Sequence, residues 1–143
     1  MHPTSSKINA GPLTLTVTEV GSTRGVAAEG ELDLSNVTAL ARLLDELEQE
    51  GAEAIVLDLE ALEFIDSTGL ALLLRSHQRL NRDGGTRLRL VASRATAVRR
   101  VFAVTGLDES LPFVADGLGR EWRRRLTRAS ASGRAASARR AAG

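Results

Sequence analysis

The segment that decides the fold is Ile55-Val56-Leu57-Asp58-Leu59, followed shortly by Phe64-Ile65-Asp66-Ser67-Thr68-Gly69-Leu70. Its first part is an apolar run of strand length, which is typical of a strand covered on both faces of a sheet. A short acidic connection leads to a Ser/Thr-Gly turn, after which leucines recur at helical spacing. The segment therefore predicts a strand, a turn and a helix, with Ser67 at the helix N-terminus.

A helix N-terminus gives Ser67 two possible roles. The first N–H groups of a helix have no partner within it, and the peptide dipoles place partial positive charge there. A serine hydroxyl can cap these donors, and a phosphate can be bound by them. From the residues alone, Ser67 can be a helix cap or the acceptor of a covalent phosphate.

Strands are predicted on both sides of this segment. Strict alternation favours strands at Leu13–Thr18 and Thr86–Val91, and a weaker apolar pattern at Val26–Leu32 favours a hairpin partner for the first of these. The apolar run Ala54–Leu59 is the central strand, and Leu111–Val114 can add a short edge strand, where its proline is tolerable.

Three helices are predicted between and after the strands. The first runs through Val37 and Leu47, with Ser35 or Asn36 as its cap and Gly51 as its stop. The second starts at the Ser/Thr-Gly motif, ends near Asn81 and turns four leucines inward: Leu70, Leu73, Leu74 and Leu80. The third is capped by Ser93, passes through Val98, Val101 and Phe102, and stops at Gly106.

The order of elements is ββαβαβα with a possible final β, which predicts an α/β fold. Strands that alternate with helices imply parallel crossovers, while the opening hairpin adds an antiparallel pair. We therefore expect a mixed sheet of four to five strands with helices packed on it.

Composition limits the classes of function. With 143 residues, of which 43% are hydrophobic, the chain is long enough for one domain with one core. The absence of cysteine excludes disulfides, thiolate metal sites and a cysteine nucleophile. No apolar run approaches the roughly 20 residues of a membrane span, and no signal-like segment is evident at the N-terminus. We expect a cytoplasmic protein.

Charge divides the chain into a body and a tail. Residues 1–119 carry a net charge of −6, whereas residues 120–143 contain eight arginines and one glutamate. We expect a flexible arm at 1–11, a domain at 12–117 and a basic, largely disordered tail at 118–143, in which Leu118, Trp122 and Leu126 can form one side of a short helix. The tail can be a solvated extension, which we favour, an arm folded onto the acidic body, or a weak nucleic-acid or partner contact.

Several separated motifs carry a family resemblance. Across Leu13–Val114 the chain resembles the STAS-domain anti-anti-sigma factors, the anti-sigma factor antagonists of bacterial partner-switching systems. The motifs are Gly30-Glu31-Leu32-Asp33, Val56-Leu57-Asp58-Leu59, Phe64-Ile65-Asp66-Ser67-Thr68-Gly69-Leu70, and Phe102 with Thr105-Gly106-Leu107. Their separation along the chain makes chance agreement improbable.

The resemblance implies a STAS fold, a partner and a site. The unmodified protein would dock on an anti-sigma factor that is also a serine kinase, and so release a sigma factor. Phosphorylation of Ser67 would end the docking, and a metal-dependent serine phosphatase would restore it. The implied partner-binding residues are Asp33, Asp66, Ser67, Thr68, Gly69 and Leu70. We expect the N–H groups of Gly69 and Leu70 to bind the phosphate oxygens.

We expect no cofactor, no metal, no membrane and no direct nucleic-acid contact, and a monomer or weak dimer. An enzyme is disfavoured because His2 and His77 are the only histidines and no nucleophile–base pair is evident. Asp58 is a rival phosphate acceptor, as in receiver domains, but the paired acids and the lysine of that site are missing. The remaining alternative is a STAS module that is not phosphorylated and binds a nucleotide or small anion at the same helix terminus.

Overall fold

The computed structural model describes residues 5–82, 85–115, 119–125 and 128, and its centre is a mixed sheet of six strands. In chain order the elements are β1 (Ser5–Ala10), β2 (Leu13–Val20), β3 (Thr23–Leu32), α1 (Val37–Gln49), β4 (Ala54–Asp58), β5 (Leu62–Ile65), α2 (Ser67–Leu80), β6 (Arg87–Val91), α3 (Thr96–Val104) and α4 (Leu107–Ser110). Residues 119–125 form a further C-terminal helix.

The sheet order is β1-β2-β3-β4-β6. Strand β2 pairs antiparallel with both β1 and β3, while β4 runs parallel to both β3 and β6. Strand β5 pairs in parallel with the last residues of β3, Gly30 to Leu32. The predicted α/β class and mixed sheet are confirmed, and the sheet has more strands than the four to five expected.

The two additional strands lack the sequence signals used for the prediction. Residues 5–10 form β1 against β2, in place of the flexible arm expected over residues 1–11. This edge strand is polar and only its Ile8 packs on the core, so its pairing comes from backbone hydrogen bonds that hydropathy does not reveal. Strand β5 has four residues and alternates too briefly to be recognised. The expected strand at Leu111–Val114 is reduced to one bridge between Phe113 and Leu90.

Helix α2 packs against α1, and its buried face is rotated from the predicted face, with which it shares Leu73 and Leu80. The buried side is formed by Gly69, Leu72, Leu73, Ser76 and Leu80, whereas Leu70 and Leu74 are only partly buried. The face begins at Gly69 because a glycine lets the helix approach the sheet closely. A Cβ at Gly69 would lie 2.8 Å from Cγ1 of Ile65 and 3.1 Å from Cγ of Leu32.

Two of the predicted helix caps are wrong in their hydrogen bonding. Asn36 is the N-cap residue of α1, as predicted, but its side chain does not bond the helix: it accepts from the Asp33 N–H and donates to the Glu31 carbonyl, which ties the end of β3 to the loop. Ser93 lies two residues before the N-cap of α3, accepts from the Ala95 N–H and donates to the Leu62 carbonyl. Short polar side chains can bond the backbone of loops as well as of helix termini, and sequence does not separate these uses.

The first described residues of the tail, 119–125, form a helix that packs on the domain. The prediction that the tail is a solvated extension is therefore wrong for these residues. Gly119 is buried, and the Nε of Arg123 lies 3.2 Å from Oδ2 of Asp58, at the end of β4. The structure therefore supports the alternative in which this part folds onto the acidic body. The disorder expected at 129–143, and the predicted helix positions Leu118 and Leu126, lie outside the described residues.

Candidate functional site

Ser67 is the first residue of α2, and its side chain is exposed. Among the described residues, no hydrogen bond involves the Ser67 hydroxyl. The role of helix cap belongs instead to Asp66, so the prediction that Ser67 itself could cap the helix is wrong. The hydroxyl is open to solvent.

Asp66 connects three parts of the site through its carboxylate. Oδ1 accepts from the Gly69 N–H at 3.0 Å and from the Thr68 hydroxyl at 2.5 Å. Oδ2 accepts from the Leu34 N–H at 3.1 Å, in the loop that follows β3. One side chain therefore caps α2 and holds the β3–α1 loop beside it.

The same hydrogen bonds determine the ionisation of Asp66. The Thr68 hydroxyl and then the Gly69 N–H stabilise the carboxylate and lower the pKa of Asp66 below its usual value. Fewer N–H donors therefore remain for a phosphate at this terminus, because the Gly69 N–H bonds the Asp66 carboxylate and the Leu70 N–H bonds the Asp66 carbonyl. The expectation that Gly69 and Leu70 donate to phosphate oxygens is wrong for this conformation.

Asp66→Asn should make the free energy of unfolding less sensitive to a fall in pH. A lowered folded-state pKa means that Asp66 stabilises the fold above its unfolded pKa of about 3.9, and that this contribution is lost as pH falls through the folded-state pKa. We expect wild type to be more stable than Asp66→Asn at pH 7 and the difference to shrink below about pH 4. Urea unfolding of both proteins across pH measures it; a difference that grows in acid would contradict the assignment.

The loop after β3 is ordered by its own polar groups. Asp33 Oδ1 accepts from both the N–H and the hydroxyl of Ser35, at 2.9 and 2.5 Å. The Asp33 carbonyl accepts from the N–H groups of Asn36 and Val37. The structure thus holds the loop that contains Asp33 beside Asp66 through Leu34, while the Asp33 carboxylate is bonded within its own turn.

Two exposed apolar residues of this region were missed by the sequence analysis. The side chain of Leu34 is 73% exposed and that of Phe64, on β5, is 47% exposed. Leu34 is joined to Asp66 by a hydrogen bond, and Phe64 lies two residues before Asp66. The sequence contained two signals of these exposed side chains. One is a leucine within a polar turn, and the other is a phenylalanine that precedes an inward-facing isoleucine on the same short strand.

The other residues implied by the resemblance lie within the first turn of α2. Thr68 is partly buried and donates its hydroxyl to Asp66, Gly69 is buried against β3 and β5, and Leu70 packs on the edge of the core. Ser67 is the only one of these four with an exposed side chain. The hydroxyls of Ser67 and Thr68 therefore differ in both accessibility and hydrogen bonding.

Asp58, the rival acceptor, is buried at the end of β4. Burial raises the pKa of Asp58, while the Glu60 N–H and Arg123 oppose that rise. Oδ1 accepts from the Glu60 N–H at 2.9 Å and Oδ2 faces Arg123. Within the described part of the chain, no group of three His, Asp or Glu residues is placed to hold a metal ion. Both oxygens of Asp58 have structural partners.

Comparison with known proteins decides the family. The family model described as STAS domain matches residues 14–117. The chain belongs to the STAS domain family. The match includes all of the site around Ser67 and stops before the C-terminal helix.

Relatives of this STAS protein have names that refer to anti-sigma factors. It is 30% identical over 99 residues to the anti-sigma-F factor antagonist RsfB of Mycobacterium tuberculosis, covering 68% of this chain and 78% of the relative. It is 33% identical over 84 residues to an anti-sigma-B factor antagonist of Staphylococcus aureus, covering 59% and 76%.

Solved structures agree with the fold of this STAS protein. An anti-sigma factor antagonist from Mycobacterium paratuberculosis superposes with a TM-score of 0.66 at 28% identity, covering 85% of this chain and 98% of the other. The antagonist SpoIIAA in its unphosphorylated form superposes with a TM-score of 0.60 at 25% identity, covering 77% and 96%.

None of the helices in the described part of the chain combines the length and the apolar composition that a membrane span requires.

Proposed function

We propose that this protein is an anti-sigma factor antagonist whose binding is switched off by phosphorylation of Ser67. The observation that carries the proposal is the exposed hydroxyl of Ser67, free of hydrogen bonds within the described chain, on the first turn of a capped helix. The names of its relatives support the class of partner, an anti-sigma factor.

The proposed partner surface, called here the docking surface, consists of Asp33, Leu34, Phe64 and the first turn of α2 from Asp66 to Leu70. Its exposed apolar area comes from Leu34 and Phe64, and Ser67 adds an uncharged hydroxyl. A partner that covers these apolar side chains removes them from water, which contributes favourably to the free energy of binding. We expect the unmodified protein to place this surface against the anti-sigma factor and so release the sigma factor.

Phosphorylation would change the charge of the docking surface without refolding it. In the proposed step Ser67 Oγ forms a bond to the γ-phosphorus of ATP, the bond to the ADP oxygen breaks, and the hydroxyl proton passes to a base of the kinase. The phosphate adds about −1.5 to −2 charges beside the Asp66 carboxylate. The Asp66 carboxylate already accepts from the Gly69 and Leu34 N–H groups, so these donors are not available to the new dianion, which an apolar partner cannot cover at low cost.

The partner would then act both as the anti-sigma factor and as the serine kinase, and a metal-dependent serine phosphatase would hydrolyse the phosphoserine and restore binding. The alternative, a module that binds a nucleotide or small anion at the α2 terminus, is less well supported. The carboxylate of Asp66 already neutralises that terminus and accepts its donors.

Incubation with the cognate kinase and ATP should add one phosphoryl group to the wild-type protein and none to Ser67→Ala. Intact-mass spectrometry measures the addition, and peptide fragmentation assigns it. Thr68→Ala is the matched control and should still be modified, because the Thr68 hydroxyl is partly buried and donates to Asp66. Modification of Ser67→Ala at the wild-type rate would reject Ser67 as the acceptor.

A further inference from the structure

A small cavity lies between the C-terminal helix and the body, away from the docking surface. Its volume is about 240 Å³, and it lies beside the carboxyl ends of β4 and β6. Charged and hydroxyl side chains supply most of its polar lining: Glu60, Ser93, Arg94, Arg99, Arg120 and Arg123. Crevices outside the carboxyl ends of parallel strands are the usual ligand sites of open α/β sheets.

The C-terminal helix is held in place on one side of this cavity. Arg123 contacts the carboxylates of both Asp58 and Glu60. Gly119 lies so close to the end of β6 that a Cβ there would be 2.9 Å from Cγ1 of Val91. The wall that supplies Arg120 is therefore positioned by an ion pair to a buried carboxylate and by close packing.

The cavity lining has an excess of positive charge. Among the described residues of the lining the one carboxylate is Glu60, which is shared between Arg123 and Arg94, whose Nε lies 3.3 Å from Glu60 Oε1. Arg99, on α3, and Arg120, on the C-terminal helix, form no ion pair with any residue that the structure describes. Two arginines from different elements therefore line one small space, and neither is neutralised by a residue that the structure describes, so an anion bound between them would be attracted to both.

The chemistry of the lining indicates phosphate groups. Guanidinium groups donate in a planar fork that matches two oxygens of one phosphate, and the four cations in the described part of the lining are all arginines. Grooves continue the surface on both sides, one with Arg100 and one with Arg124 and Arg128, so more than one phosphate can be contacted. The cavity itself is smaller than the roughly 300 Å³ at which pockets for drug-sized ligands begin, which favours a small ligand.

We propose that this cavity binds a small anion that carries a diphosphate group, held between Arg99 of α3 and Arg120 of the C-terminal helix. The site is independent of Ser67. One of its two walls lies beyond residues 14–117, so it is a property of this chain and not of the STAS domain alone. The diphosphate can be inorganic pyrophosphate or part of a nucleotide.

Titration calorimetry of the full chain at low ionic strength, with sodium pyrophosphate as the probe, tests the proposal. We expect saturable binding to one site, with the dissociation constant raised at least tenfold, about 1.4 kcal/mol, by either Arg99→Ala or Arg120→Ala. Arg42→Ala is the matched control, because it removes one exposed positive charge from α1, outside the cavity, and should bind as wild type does. Circular dichroism confirms that each variant is folded.

Titrations with ADP and inorganic phosphate identify the recognised group. Binding of ADP that both cavity variants weaken supports a site for the diphosphate of a nucleotide, whereas binding of pyrophosphate without ADP supports an inorganic ligand. The proposal is overturned if wild type shows no saturable binding, if Arg42→Ala weakens binding as much as Arg120→Ala, or if inorganic phosphate binds as tightly as pyrophosphate. Displacement of pyrophosphate by a single-stranded oligonucleotide at lower concentration than by ADP would also overturn it, in favour of a nucleic-acid surface.

Discussion

Ser67→Glu should weaken binding to the anti-sigma factor at least about 100-fold, or about 3 kcal/mol. The substitution places a carboxylate where the unmodified protein has an exposed neutral hydroxyl, beside the carboxylate of Asp66. An anion covered by an apolar partner loses its hydration, and the N–H groups of Gly69 and Leu70, which could compensate, already bond Asp66. Calorimetric or interferometric titration with the purified anti-sigma factor measures the change.

Ser67→Gln separates charge from size in this experiment. Glutamine has nearly the same shape as glutamate and no charge, so we expect its affinity to fall by less than about tenfold. Equal losses for Gln and Glu would mean that the partner excludes any larger side chain and that charge is secondary. Wild-type affinity for Ser67→Glu would mean that the partner does not cover Ser67, and the docking surface would have to be placed elsewhere.

Comparing the affinities requires that these variants be as stable as wild type, and the structure indicates that they will be. Ser67 makes no hydrogen bond with the described residues, and helix capping is carried out by Asp66. Substitutions at an exposed first-turn position away from such contacts usually change stability by less than about 0.5 kcal/mol. A difference in binding can therefore be attributed to the surface and not to loss of the fold.

The long periodic segments of the fold were predictable from the sequence because their side chains have one dominant environment. The alternation at Leu13–Thr18 and the apolar run at Ala54–Leu59 each describe burial on the face or faces that the structure shows. The leucine spacing after Ser67 identified the helix, although the buried face of that helix is shifted from the predicted one. Pairings made by the backbone were not predictable in this way. Strand β1 is an example, since polar edge residues bond β2 through groups that every residue has.

The residues of the site were predictable as a motif, but the role of each residue was not. Asp66, Ser67 and Thr68 can all cap a helix, and the backbone angles at Asp66 decide which of them does so. The contribution of Leu34 depends on a hydrogen bond between residues 32 positions apart. The pairing of Arg123 with Asp58 spans 65 positions, and a low-complexity tail gives no sign of where it docks.

Gly30→Ala should destabilise the protein by about 3 kcal/mol or more, whereas Gly21→Ala should cost about 1 kcal/mol. Both glycines have positive φ, +101° and +61°, so both substitutions carry a backbone penalty. They differ in space, because a Cβ at Gly30 would lie 2.1 Å from the Pro12 carbonyl oxygen, while nothing lies within 4 Å at Gly21. Urea unfolding followed by circular dichroism measures both changes.

The effect at Gly30 should reach the docking surface, because this glycine is where three strands meet. Its N–H donates to the Ala61 carbonyl, the next N–H donates to Pro12, and the pairing of β3 with β5 shifts register between Gly30 and Glu31. The chain then enters the loop that presents Leu34. We therefore expect Gly30→Ala to lose anti-sigma factor affinity even at temperatures where it remains folded, and Gly21→Ala to keep it. Equal stability of the two variants would show that β2 can move away from Gly30 at little cost.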